Sequence, residues 1–101
     1  MNSASLMLSN DSLSNSVIQN KRFSILHDTL TQNGWKLVVN EMYWINYTKE
    51  GDETSYFDIQ VTQNKIMVSV PIKNSIYQYT TSFTSYYEAS EFLEKKMYEY
   101  N

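Results

Sequence analysis

Between Trp35 and Ile72 most apolar side chains keep to a period of two and change parity once. Trp35, Leu37, Val39, Tyr43, Ile45, Tyr47, Phe57, Ile59 and Val61 stand at odd positions, whereas Ile66, Val68, Val70 and Ile72 stand at even ones. Successive side chains of a strand point to opposite faces, so this pattern calls for a sheet with one apolar face. The parity change falls at Gln63-Asn64, where a two-residue hairpin loop pairs Val61 with Ile66, Ile59 with Val68 and Phe57 with Val70, all on that face. Gln is a poor choice for a loop position that needs positive φ.

The other strand limits follow from the same alternation. Trp35 to Thr48 reads as one long strand, bent near Asn40-Glu41 because Glu41 alone breaks the odd-numbered apolar series. Lys49 to Glu53 is a polar turn, and a three-residue loop there sets Trp44 opposite Asp58 and Met42 opposite Gln60. After a connection at Lys73 to Ser75, Tyr77, Tyr79 and Phe83 alternate along a last strand from Ile76 to Phe83. Pro71 falls at a strand end, where a missing N–H costs least.

A sheet with one apolar face needs a cover, and the chain has two helical stripes to supply it. Phe23, Leu26 and Leu30 recur at helical spacing between Asn20 and Asn33, with Asn33-Gly34 as the stop; the helix could begin as early as Val17. Ser85 with Glu88 forms a capping box that opens a second helix, on which Tyr86, Ala89, Leu93, Met97 and Tyr100 make the stripe, flanked by Phe92 and Lys96. Glu91 and Lys95 are placed for an ion pair one turn apart. The expected fold is therefore α+β: a four-stranded antiparallel meander between an N-terminal and a C-terminal helix, in the order α-β-β-β-β-α, over residues 17–101. Residues 1–16, rich in Ser and Asn, read as a flexible tail.

Composition removes most catalytic chemistry. There is no cysteine and a single histidine, His27, so disulfides, thiolate nucleophiles and cysteine-based metal sites are excluded, and no cofactor is expected. His27 beside Asp28 does not make an acid–base pair, because helix neighbours in sequence do not face each other. Glu50, Asp52 and Glu53 lack the spacing of a calcium loop and read as a solvated hairpin tip. With no apolar run long enough for a bilayer and no export-like start, the expected location is cytoplasm or nucleus.

What remains is a binding protein, and the outward sheet face is where binding would occur. Val38, Met42, Trp44, Tyr56, Met67 and Pro71 fall on that face and define the expected partner-binding patch, since Trp, Tyr and Met are enriched in interface cores. The competing reading has the N-terminal tail or a longer first helix fold over the same face and make it a second small core. The first strand, at the sheet edge, could also accept a partner strand or form a homodimer, unless Lys36 and Glu41 act as gatekeepers. The expected function is a non-catalytic protein-binding subunit or adaptor. The alternative is a single-stranded nucleic-acid module that stacks bases on the sheet aromatics, but a net charge of −3 opposes it.

Overall fold

The alternating run folds as a five-stranded antiparallel meander, one strand more than expected. The computed structural model describes residues 21–101; the expected tail at 1–16 and the possible helix start at Val17 lie outside the described residues. In order, the elements are α1 (Lys21–Gln32), β1 (Trp35–Glu41), β2 (Trp44–Lys49), β3 (Asp52–Val61), β4 (Ile66–Pro71), β5 (Gln78–Phe83) and α2 (Tyr86–Tyr100). The strands lie in chain order across the sheet.

The extra strand arises where one bent strand was expected. Glu41 pairs with Trp44, so Met42 and Tyr43 form a hairpin loop and the stretch from Trp35 to Thr48 doubles back on itself. The register also shifts between Leu37 and Val39, leaving Val38 as a bulge residue. Neither Met42-Tyr43 nor Gln63-Asn64 has positive φ, so these loops need no glycine. The second loop keeps its expected register, with Val61 opposite Ile66 and Ile59 opposite Val68.

The β2–β3 register differs from expectation by two residues. Trp44 lies opposite Gln60 rather than Asp58, and Met42 is in the hairpin loop rather than opposite Gln60. An irregularity beside Thr48 and Lys49 absorbs residues 53–55 of β3. A slip of two preserves facing, so Ile45, Tyr47, Phe57 and Ile59 still point into the core. The last strand begins at Gln78 rather than Ile76, leaving Tyr77 in the connection.

Both helical stripes bury as their spacing dictates. Phe23, Leu26 and Leu30 of α1 meet Tyr86, Ala89, Leu93 and Met97 of α2 in one core with the inner faces of the strands. The Phe23 and Tyr86 rings meet edge to face at 5.2 Å. Ser85 caps α2, its hydroxyl accepting the amides of Tyr87 and Glu88 at 3.1 and 3.3 Å. Gly34 ends α1 in the left-handed region, at φ 88°. On the outer side of the helices the Arg22 guanidinium stacks 4.0 Å above the Tyr87 ring. Glu91 beside Tyr87 pushes that phenol's pKa up; the ion pair on this helix is Lys96 with Glu99 at 3.2 Å rather than the expected Glu91 with Lys95.

One end of the molecule is closed by polar ties. α1 has no basic residue in its last turn, but the Lys49 ammonium comes from β2 to the Asn33 carbonyl at 3.1 Å, where a cation complements the helix dipole. The same ammonium donates to Asn101 Oδ1 at 3.1 Å, joining the ends of both helices. Asp52 is not merely a solvated tip. It accepts from the hydroxyls of Thr54 at 2.6 Å and Ser55 at 3.0 Å, and Tyr100 Oη donates to it at 3.3 Å.

The Thr54 and Ser55 hydroxyls stabilise the charged form and hold the Asp52 carboxyl below its ordinary 3.8. A folded pKa below the unfolded one adds stability that is present above the ordinary value and disappears as pH falls through the folded value. Asp52→Asn should therefore be less stable than wild type in urea unfolding at pH ~7, with the gap narrowing at pH ~2.5. A gap that stays constant between the two would show that charge at this position does not matter.

Candidate protein-interaction surface on the outer sheet face

Register and alternation place the outer face in three cross-strand rows. The first is Glu41, Trp44, Gln60, Met67 and Ser82; the second is Val39, Asn46, Asp58, Ser69 and Thr80. The third holds Lys36, Thr48 and Tyr56, with Pro71 and Gln78 continuing it on β4 and β5. Two apolar side chains thus stand in each of the first and third rows, Trp44 with Met67 and Tyr56 with Pro71, and polar ones fill all of the second but Val39.

Asp58 organises the middle row. Its Oδ1 accepts from Trp44 Nε1 and from Asn46 Nδ2, both at 2.7 Å, and its Oδ2 accepts from Gln60 Nε2 at 2.9 Å. Trp44 stands diagonal to Asp58, so the indole leans along the strand to make its bond. Further across, the Ser69 and Thr80 hydroxyls are bonded at 2.8 Å. Each donor here is a side chain at the pleat position the ladder assigns to the outer face, and together they hold Trp44 in one orientation.

The six expected patch residues are only partly brought together. Trp44, Met42 and Val38 are exposed and lie on or beside the β1–β2 hairpin, at 38%, 47% and 50% of full exposure. Met67 lies across from Gln60 as expected, half-buried and two strand spacings from Trp44, about 10 Å. Tyr56 is separated from Trp44 by the Asp58 row, roughly 13 Å along the strands. Pro71 is buried rather than exposed. Lacking an N–H, it cannot donate toward β3, and Gln78 Nε2 reaches across from β5 to the Tyr56 carbonyl at 2.9 Å.

The inner side offers a different environment. His27 Nδ1 and Tyr47 Oη are hydrogen-bonded at 2.6 Å between α1 and β2. Burial, with Asp28 adding to it, pushes the Tyr47 phenol well above its ordinary value. This histidine joins helix to sheet. Among the described residues no cluster of three metal-ligating side chains occurs, and no helix is long and apolar enough to cross a membrane. A groove of about 400 Å³ lies between the C-terminal half of α2 and the β4–β5 connection, lined by Val70, Ile72, Tyr79, Phe92, Lys96 and Tyr100. Alternation assigned Tyr79 to the core side, yet it is 51% exposed because α2 leaves that corner open. Sequence periodicity carries no signal for where a covering helix stops.

Compared with protein families, characterised proteins and solved structures, the chain matches none. Function therefore has to be argued from the surface itself.

If Asp58 fixes the indole, Asp58→Ala should release it. The chain has two tryptophans, so two indole N–H resonances are expected, from Trp35 and Trp44. The Trp44 resonance should shift and exchange faster with solvent in the variant, while that of buried Trp35 stays in place. An unchanged Trp44 resonance would contradict the restraint.

Proposed function

We propose that this chain is a non-catalytic protein-binding subunit or adaptor, acting in the cytoplasm or nucleus, and that its partner docks on the outer sheet face around Trp44. The observation that carries the reading is the state of that side chain. A large aromatic ring is exposed on a sheet while its N–H is held by Asp58 at 2.7 Å. A ring already fixed in place loses little conformational freedom on binding, and tryptophan is the residue type most often found to dominate interface energetics. Met42 and Val38 add exposed apolar area beside it. The polar row through Asn46 and Asp58 gives the rim that a specific interface uses.

Single-stranded nucleic acid fits this face less well. Asp58 stands at its centre and Glu41 lies across from Trp44, so a phosphate backbone laid along the first two rows would meet carboxylates.

The test is affinity purification of the tagged full chain from its own cells, alongside the Trp44→Ala, Met42→Ala double variant. A specific protein should co-purify with wild type and be lost with the variant, the far-UV circular dichroism being the same for both. With the purified partner, Trp44→Ala alone should weaken binding by about 2 kcal/mol, some 30-fold. Recovery of nucleic acid alone, or of the same protein undiminished by the double variant, overturns the reading.

A further inference from the structure

Among the described residues the sheet has two open edges, and the chain treats them differently. β1 carries Lys36 and Glu41 and is broken by the bulge at Val38, features that discourage strand addition. β5 has none of these protections. It pairs with β4 in unbroken register from Gln78 to Phe83, contains no proline, and lies within a stretch from Asn74 to Tyr87 that has no charged residue. Ile76 and Tyr77 just before it are 79% and 70% exposed, and Tyr79 within it is 51% exposed.

The hydrogen-bond alternation shows what that edge presents. The Ile72 amide donates to the Tyr77 carbonyl at 3.2 Å, so Tyr77 directs its backbone toward β4. Alternation along an antiparallel ladder then turns Tyr79, Thr81 and Phe83 toward β4, and turns the N–H and C=O of Gln78, Thr80 and Ser82 outward. Pro71 agrees with this phase. It pairs with Gln78, where no bond to β5 is made and its missing N–H costs that ladder nothing.

We propose that a second copy of this chain adds to this edge, β5 against β5 and antiparallel, about a twofold axis at Thr80. Two conditions select the register: outward-directed backbone groups must face each other, and residues opposite one another must share a face. Centring on Thr80 meets both and uses all three outward residues. Thr80 exchanges bonds with Thr80 of the second copy, and Gln78 with its Ser82. Between them, exposed Tyr79 comes opposite Thr81 of the second copy, and exposed Tyr77 opposite its Phe83, as aromatic and β-branched cross-strand pairs. On the twofold axis Thr80 meets its own copy, where any charge would be penalised, and the uncharged strand suits that arrangement. The two sheets become one continuous sheet of twice the width. This surface is separate from the Trp44 region, which lies toward the other edge on β2.

Mass measurement of the full chain by sedimentation equilibrium tests the proposal. Wild type should run at twice 11.9 kDa in the micromolar range. Thr80→Lys and Thr80→Glu should each fall to the single-chain mass with native far-UV circular dichroism, because like charges meet on the axis. An equimolar mixture of the two should return to the doubled mass, as lysine meets glutamate across it. Trp44→Ala should remain dimeric, which separates this result from that of the partner-binding surface. A wild-type mass that stays at 11.9 kDa up to millimolar concentration overturns the proposal. So does a Thr80→Lys variant as dimeric as wild type, or a mixture that remains monomeric.

Discussion

Two helical stripes packed on one sheet face constrain every other part of this molecule. Leu30, Leu93 and Met97 are fully buried against Ile45, Phe57, Ile59, Ile66 and Val68. Truncating a leucine in such a position to alanine removes its contacts and leaves a cavity, at a cost of about 2–5 kcal/mol. Because that face is closed, the sheet must keep its parity, and the even positions of β2, with Tyr56, Asp58 and Gln60 of β3, are turned outward. The outer face is thus a by-product of the inner one.

What the outer face does with those positions is chemically different from a second core. Asp58 gathers three side-chain donors, and the tryptophan among them is held at the sheet surface. Gln78 stands in for the N–H that Pro71 lacks. Polar restraint holds this face without apolar cover from the described residues, a suitable condition for recognition by another surface.

Parity was legible from residue types alone, and so were both helices, the Gly34 stop of α1, the Ser85 cap of α2 and the Gln63-Asn64 register. The first hairpin was not. Its Met42-Tyr43 loop has negative φ throughout and carries no glycine or asparagine to mark it. Odd numbering ran on through two irregularities, since the Val38 bulge moves Val39 to the outer face and Tyr43 falls in the loop. The slip between β2 and β3 was hidden for the complementary reason: residues 53–55 absorb it and a shift of two leaves every face unchanged. Within the candidate site, Trp44, Met42 and Val38 were correctly read as exposed. Pro71 was not, because alternation assigns a face but cannot register a side chain such as Gln78 bridging over it. The open β5 edge had a signal in the charge-free run from Asn74 to Tyr87, which period-two reading ignores because it counts apolar positions rather than missing charges.

The strand order has a further consequence. Each strand hydrogen-bonds its neighbours in the chain, so the sheet can close through short loops, each with a small entropic cost. Distant parts of the chain meet chiefly where α1 packs on α2 and where Lys49 and Asn101 reach the end of α1. Docking the two helices against each other is therefore the closure of longest sequence separation in an otherwise local topology. It is also the closure that makes the first and last described elements rise and fall together in stability.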